Sequence, residues 1–219
     1  MRILVINPNS SRFFTQLIQQ SVAHLQANGA YQIDCIELEG TPPGIESQRD
    51  IDSVIEPICR VVKEEMAHTD AFVIGCFADT GVSSARELTT KPVLGLCEAA
   101  LATALNMGER FGVISTSLAS RNSELKLVRS YGLLDRCVGF APIDIPVAEI
   151  PRHAQARERI ISAGTTLIEC GADVLVLGCA GMAPYRTHLR DTFRVPVIDP
   201  NSSAVAMAIG MVGNITGQI

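Results

Sequence analysis

The chain has 219 residues, which is enough for one large domain or for two small lobes with a buried core. Hydrophobic residues make up 47% of the sequence and charged residues 19%, a composition that is typical of a folded globular protein and excludes a disordered one. The net charge of -5, without a basic cluster, gives no electrostatic basis for binding nucleic acid or an anionic membrane surface. We therefore expect the partner to be a small molecule.

Short β-branched segments alternate with longer segments of helical periodicity, a pattern typical of βα units around parallel sheets. Eight segments are predicted as strands: 3–6, 32–38, 72–75, 92–96, 112–115, 139–145, 174–178 and 196–199. After the first strand, Ser10 or Ser11 can cap a helix that Asn28 and Gly29 end. A single helix with an apolar face directed at the core is predicted from Glu46 to His68.

Three features of the sequence indicate the cellular compartment of the protein: its first apolar run, its last one and its cysteines. The first apolar run ends at Asn7 and Pro8, so it predicts neither a signal peptide nor a membrane span. The stretch from Ala204 to Val212 is too short to cross a bilayer and predicts a buried helix. The seven cysteines lack zinc-site or CxxC spacing, so they are expected as thiols in a reducing compartment. We therefore expect a cytoplasmic protein without a metal.

Three blocks of sequence occur twice, in the same order. RILVINPNSS resembles RFGVISTSLAS, DAFVIGCFADTG resembles DVLVLGCAGMAP, and the segments KPVLGLC and VPVIDPN form a third pair. The pairs begin at Arg2 and Arg110, at Asp70 and Asp173, and at Lys91 and Val195, so their offsets are 108, 103 and 104 residues. Such a repeat indicates a duplicated α/β unit. We predict two pseudo-symmetric lobes, each a four-stranded parallel sheet flanked by helices, with the active site in the cleft between them. The first lobe would comprise residues 1–94 with 200–219, and the second residues 95–199.

Cys76 and Cys179 occupy equivalent places in the repeat, each directly after an apolar strand and a glycine. Ligands of parallel α/β sheets bind at the carboxyl ends of strands, and two-fold symmetry would make the two thiols face each other there. A thiolate and a thiol so placed can remove a proton from one face of a carbon and return one to the other face, as racemisation requires. A cysteine after a strand can instead be a small core residue. We assign that role to the other five: Cys35, Cys59, Cys97, Cys137 and Cys170.

Several residues near these strand ends are candidates for substrate binding. Backbone N–H groups after the cysteines, from Phe77 to Thr80 and at Ala180 and Gly181, are expected to lower the thiol pKa and to stabilise a developing enolate oxygen. Asp79 is a candidate that could instead cap the following helix. Polar clusters after the first strand of each lobe are expected to cap helices or contact substrate. They comprise Asn7, Asn9, Ser10 and Ser11 in the first lobe, and Ser115, Thr116 and Ser117 in the second. The four histidines lie away from the strand ends and are predicted as surface residues.

These motifs resemble the aspartate/glutamate/hydantoin racemase superfamily and, within it, the hydantoin and allantoin racemase branch, over essentially the whole chain. The resemblance rests on INPNSSRFFT at 6–15, GIES at 44–47, GCFADTG at 75–81 and LGCAGMA at 177–183. It implies a cofactor-independent racemase with Cys76 and Cys179 as the acid/base pair. Carried over by position, it implies substrate contacts from five residues: Asn7, Ile45, Thr80, Thr116 and Gly181.

The implied reaction is racemisation of 5-substituted hydantoins, allantoin among them, by proton abstraction and return at C5. The hydantoin branch reads Cys-Phe-Gly-Asp-Pro-Gly where this chain has Ala78 and Thr80, so the substituent on the ring stays open. Symmetric assemblies are common among such enzymes, and we expect a homo-oligomer.

Alternatives to this reaction remain. A maleate-type cis–trans isomerase would use one cysteine as a nucleophile. An aspartate/glutamate-type amino-acid racemase is disfavoured, because glutamate racemases carry an acidic residue and a histidine where this chain has Asn7 and Ala180. Arylmalonate decarboxylases keep one of the two cysteines, so the presence of both argues against decarboxylation. A non-catalytic binding protein would keep the fold but would not depend on the thiols.

Overall fold

Two four-stranded parallel sheets form the centre of the protein. The computed structural model describes residues 1–29 and 31–216. The first sheet has the order β2-β1-β3-β4, with β1 at Arg2–Asn7, β2 at Gln32–Glu37, β3 at Ala71–Ile74 and β4 at Val93–Gly95. The second has the order β6-β5-β7-β8, with β5 at Phe111–Ser115, β6 at Cys137–Pro142, β7 at Val174–Leu177 and β8 at Val197–Ile198. In the described part of the chain, the predicted fold class of two pseudo-symmetric α/β lobes is confirmed.

The helices cover both faces of these sheets, which explains why every residue of β3 and β7 is buried. They are α1 at Arg12–Val22, α2 at Gln48–Ser53, α3 at Ile55–Glu65, α4 at Val82–Arg86, α5 at Leu96–Leu105, α6 at Arg121–Ser130, α7 at Ala156–Glu169, α8 at Arg186–Phe193 and α9 at Pro200–Thr216. Ser11 caps α1, since its hydroxyl oxygen accepts a hydrogen bond from the Phe14 N–H at 3.4 Å. The helix ends earlier than predicted and continues as a 3-10 segment at Ala23–Gly29.

The segment predicted as one helix from Glu46 to His68 is two helices, α2 and α3, separated at Val54. A capping box between Ser47 and Asp50 starts α2. Pro57 has no N–H to donate to a carbonyl one turn earlier, so it is tolerated only in the first turn of a new helix. The break turns α2 away from the core face that the single helix would have followed.

The last helix of each half crosses to the other sheet. Helix α5 follows β4 but packs against β5, β7 and β8, whereas α9 follows β8 and packs against β1, β3 and β4. The two helices also pack against each other, so one hydrophobic cluster runs from Val73 through Leu101 and Val205 to Val176. This arrangement is compatible with our proposed division into residues 1–94 with 200–219 and residues 95–199, of which residues 30 and 217–219 lie outside the described residues.

The apolar stretch within α9 is buried, as predicted, with Val205 and Ala208 fully inaccessible to solvent. Among the residues that the structure describes, no helix combines the length and the hydropathy needed to cross a bilayer.

Candidate functional site

Cys76 and Cys179 lie just beyond the carboxyl ends of β3 and β7, in equivalent settings. In each case the preceding glycine N–H donates a hydrogen bond to a carbonyl of the neighbouring strand. The two bonds join Gly75 to the Ile6 oxygen at 2.7 Å and Gly178 to the Ile114 oxygen at 2.8 Å. A Cβ on Gly178 would lie 2.6 Å from that oxygen, so only glycine permits the close approach. The repeated Gly-Cys pair therefore places both cysteines at the same edge of their sheets.

Both thiols line one cavity between the two halves of the chain, with a volume of about 260 Å³. The first half contributes Asn9, Phe14, Ile45, Glu46, Gln48, Ile51, Gly75, Cys76, Phe77 and Ala78. The second half contributes Thr116, Ser120, Ser123, Glu124, Lys126, Leu127, Ser130, Val147, Gly178, Cys179 and Ala180. A cavity of this size, with an apolar lining and a few polar groups, suits a small ligand.

Burial dominates the acidity of the two thiols. Desolvation raises the pKa of both Cys76 and Cys179 to about 12. The backbone N–H groups of Ala78 and Gly181 hydrogen-bond the respective sulfurs and act in the opposite direction, and the bond from Gly181 is 3.4 Å long. The expected lowering of the pKa by these N–H groups is therefore present but smaller than the effect of burial. With the pKa raised this far, both cysteines are thiols at neutral pH.

Glu124 places a buried carboxyl group in the cavity wall. It lies in α6, and only 7% of the residue is exposed. The hydroxyl groups of Ser115 and Ser120 each donate a hydrogen bond to a different carboxyl oxygen. Burial raises the pKa of Glu124 to about 6, while the two hydroxyl groups lower it. The carboxyl is therefore mostly ionised above pH 7 and is held in a fixed orientation.

The segment before α2 closes one side of the cavity. The Val147 N–H donates a hydrogen bond of 2.9 Å to Glu46 Oε1, which joins this segment to the loop after β6. Ile45, Gln48 and Ile51 line the cavity beside it. The cavity lining thus includes Ile51, from a segment whose apolar residues were predicted to face only the core.

The predicted site residues that line the cavity include Ile45, Cys76, Phe77, Thr116, Cys179 and Ala180. Asn9 of the first polar cluster and Ala78, whose N–H was predicted to stabilise charge, line it as well. Five further predicted residues are not among the lining residues: Asn7, Asp79, Thr80, Ser117 and Gly181. Thr80 is buried, and its hydroxyl has no hydrogen-bond partner within the described part of the chain.

Asp79 faces α5 rather than the cavity. Its carboxyl oxygens accept hydrogen bonds from the N–H groups of Cys97 at 2.7 Å and Glu98 at 2.8 Å and from the Tyr131 hydroxyl at 2.6 Å. The cap is on α5, not on the helix that directly follows Asp79. Burial raises the pKa of Asp79 to about 7, against the effect of these three donors. The residue ties the loop of Cys76 to the second half of the molecule.

The remaining three residues also make contacts within the protein. The Asn7 amide group donates to Asn9 Oδ1 at 3.0 Å and to Thr15 Oγ1 at 3.1 Å. Ser117 Oγ accepts from the Ser120 N–H at 3.2 Å in the turn before α6, so it does not cap that helix, whose N-cap is Ser120. A Cβ on Gly181 would lie 2.6 Å from the ring of Phe14, so this glycine makes room for a cavity-lining phenyl group. Substrate contacts by these side chains stay a prediction.

The face of α6 is the part of the site that sequence reasoning missed. Ser120, Ser123, Glu124, Leu127 and Ser130 follow the spacing of one helical face, and all line the cavity. A stripe of small polar side chains with one carboxyl group is the signal that could have revealed it. Nothing in the spacing, however, says that this face meets the two cysteines.

The other cysteines and the histidines stand apart from the cavity lining. All seven cysteines are free thiols. Cys59 and Cys97 are buried as predicted, but Cys170 is exposed at the end of α7, so its assignment to the core is wrong. The described part of the chain contains no group of three or more His, Cys, Asp or Glu side chains that could hold a metal ion.

Known proteins resemble this chain over nearly its whole length. The sequence model of the Asp/Glu/hydantoin racemase family matches residues 3–208. The hydantoin racemase of Rhizobium meliloti is 35% identical over 216 residues, covering 97% of this chain and 89% of the relative. That of Paenarthrobacter aurescens is 34% identical over 218 residues, covering 97% and 91%. The structure of allantoin racemase from Klebsiella pneumoniae matches with a TM-score of 0.93 at 31% identity, over 98% of this chain and 88% of that chain. The chain therefore belongs to the Asp/Glu/hydantoin racemase family, and the resemblance inferred from its motifs is confirmed.

Proposed function

We propose that the protein is a cofactor-independent racemase of 5-substituted hydantoins, with Cys76 and Cys179 as its acid and base. The observation that carries the proposal is that two thiols, at equivalent strand ends of two pseudo-symmetric lobes, line one cavity. The relatives named hydantoin racemase and the structural neighbour named allantoin racemase support the substrate class.

The reaction takes place at C5, whose hydrogen lies between a carbonyl carbon and a ring nitrogen. The thiolate of one cysteine takes this proton, and the electron pair of the C–H bond moves toward the carbonyl oxygen to give a planar enolate. The thiol of the other cysteine then gives its proton to the opposite face. The first cysteine ends as a thiol and the second as a thiolate, so the pair is ready for the other enantiomer. The backbone N–H groups of Phe77 and Ala180 are the candidates for stabilising the enolate oxygen.

The charge state of one thiol changes the pKa of the other, in the direction that favours one base and one acid. The negative charge of a Cys76 thiolate raises the pKa of Cys179. A site with two interacting thiols in a buried cavity favours one thiolate beside one thiol over two thiolates. One base and one acid are then available in each turnover.

The charges around the cavity favour a neutral substrate. Glu46 and Glu124 both line it, and Glu124 is buried. Lys126 is the one cation among the described lining residues, and its side chain is exposed. A maleate dianion or an amino-acid carboxylate would meet like charge here, whereas an uncharged cyclic ureide would not. This pattern disfavours the two alternatives of maleate isomerisation and amino-acid racemisation.

Hydrogen exchange in heavy water tests the proposal. An enantiopure hydantoin is incubated with the protein in D₂O, and the C5 hydrogen is followed by NMR while optical rotation is followed in parallel. We expect loss of the C5–H signal together with loss of rotation, at rates well above an enzyme-free blank. Absence of exchange with every hydantoin tested would refute the proposal, and conversion of maleate to fumarate by the same sample would replace it with the isomerase.

Single-cysteine variants test the roles of the two thiols. Cys76→Ser and Cys179→Ser should each lower racemisation by about 10²- to 10⁴-fold. Each should still exchange C5–H in one enantiomer only, and the two variants should differ in which one, because each keeps a different base. Cys170→Ser, at an exposed thiol outside the cavity lining, is the control and should racemise at the parent rate. Full racemisation by both cavity variants would contradict the two-thiol mechanism.

A further inference from the structure

We infer that Glu124 is a specificity-determining residue, which accepts a hydrogen bond from an N–H group on the C5 substituent of the substrate, as in a ureido group. The inference rests on the proposed racemisation of hydantoins and adds to it the chemistry of the substituent. Its basis is a buried carboxyl that lines the same cavity as both thiols.

The carboxyl has acceptor capacity left over. An ionised carboxylate offers about four acceptor positions, and a buried one needs donors to offset its lost hydration. Ser115 and Ser120 supply one hydrogen bond to each oxygen of Glu124. Each oxygen therefore keeps a further acceptor position, on a residue that borders the cavity.

The placement of Glu124 indicates the part of the substrate that it meets. In the proposed mechanism the two thiols face C5 from opposite sides, so the ring lies beside the backbone next to each cysteine. Helix α6 supplies a separate wall, which follows β5 and is adjacent in sequence to neither cysteine. The inference places the C5 substituent against this wall, whose cavity-facing residues include Ser123 and Leu127.

The Glu124 carboxylate in the α6 wall favours a substituent with N–H donors over an apolar substituent. A ureido group offers N–H donors that replace the water lost from the carboxylate, whereas an alkyl group of the same shape removes that water and returns no hydrogen bond. A substrate with the alkyl group therefore loses binding free energy, because it leaves a buried carboxylate without a hydrogen-bond donor. Buried polar residues commonly enforce specificity in this way. An isobutyl group is the matched comparison, because it has the same number of heavy atoms and the same branching as a ureido group.

The experiment compares kcat/KM for enantiopure allantoin, which is 5-ureidohydantoin, and enantiopure 5-isobutylhydantoin, in the parent protein and in Glu124→Gln. We expect the variant to lose about 10- to 100-fold on allantoin and less than about 3-fold on 5-isobutylhydantoin. Glu169→Gln removes one negative charge from an exposed site on α7 and should leave both values unchanged. Should Glu124→Gln fold poorly, Glu124→Asp keeps the charge but withdraws the carboxyl by one methylene, and should show the same selective loss.

The two substrates separate this role from others that Glu124 could have. Its charge raises the pKa of Cys179, and its hydrogen bonds hold the loop after β5, but a change in either would alter both substrates alike. A contact with a ring N–H would also affect both. An equal loss on the two hydantoins, or no loss on either, would therefore overturn the inference. A parent protein that racemises neither hydantoin would instead refute the proposed function.

Discussion

At Cys76 and Cys179, burial and hydrogen bonding act on the pKa in opposite directions, and burial has the larger effect. A cysteine with a raised pKa is rarely a thiolate at neutral pH, but its thiolate is a strong base once it has formed. In the proposed mechanism, the burial that raises the pKa of the thiols also shields the enolate from water. The site thus holds two protonated thiols until a substrate enters.

The raised pKa predicts the pH dependence of alkylation. Only the thiolate reacts with iodoacetamide, so the rate at Cys76 should rise about tenfold per pH unit from pH 7 to 9.5 without a plateau. At pH 8 the rate should lie on the order of 10²- to 10³-fold below that of a small free thiol with a pKa of about 8.5. The measurement is peptide mapping by mass spectrometry, with Cys170→Ser to remove the exposed thiol. N-acetylcysteine is the control, and a plateau at Cys76 below pH 9 would show that its pKa is not raised.

At the scale of elements, each cysteine loop is tied to the first turn of the helix that crosses to the other half. In the first half, Asp79 accepts hydrogen bonds from the N–H groups of Cys97 and Glu98 in α5. In the second, the Asn201 amide of α9 donates to the Ala180 oxygen at 3.2 Å. Asp79 has a φ of 48°, a strained value that these bonds stabilise. Strand, cysteine loop and crossing helix therefore form one positioning unit in each lobe.

Gly95 tests this unit, because a Cβ there would lie 2.2 Å from the Asp79 carboxyl carbon. Gly95→Ala should displace the Asp79 carboxyl, lower the free energy of unfolding by about 1–3 kcal/mol, and lower kcat about 10- to 100-fold by shifting Cys76. Denaturant unfolding and racemisation assays measure the two effects. Gly210→Ala is the control, since open space surrounds Gly210 in α9 and alanine there should stabilise by about 0.5–1 kcal/mol. Equal stability and activity of Gly95→Ala and the parent would rule out the positioning role of Asp79.

All eight strands could be predicted from the sequence because short β-branched segments alternate along the chain with segments of helical periodicity. The Gly-Cys pairs could be predicted as well, since the repeat fixes their place at the strand ends. Glu124 could not, because a lone carboxylate on a polar helix also fits a solvated surface. The orientation of the Asp79 side chain could not be predicted either, for a different reason. Its partners, Cys97 and Tyr131, are distant in sequence and meet it only through the packing of α5 and α6.

At the scale of the whole molecule, the crossing of α5 and α9 joins the two lobes into one core. Val73 of the first sheet and Val176 of the second belong to the same hydrophobic cluster, which includes residues of both crossing helices. A cavity formed between two sheets keeps its geometry only if the sheets cannot move independently. The exchange of helices supplies that rigidity, because each sheet is covered by a helix that begins in the other half.

Val205 of α9 tests whether the two sheets unfold together. Val205 is fully buried, on a helix that packs against the first sheet and against α5, so Val205→Ala should lower the free energy of unfolding by about 1–3 kcal/mol. Amide hydrogen exchange under native conditions should show the same loss of protection in β3 and in β7, since global unfolding exposes both. Ile215→Ala is the matched control on the same helix, because Ile215 is 69% exposed and its truncation should change stability by less than about 0.5 kcal/mol. Loss of protection confined to β3 would mean that the first lobe opens by itself, and that the helix exchange does not couple the two halves that carry the thiols.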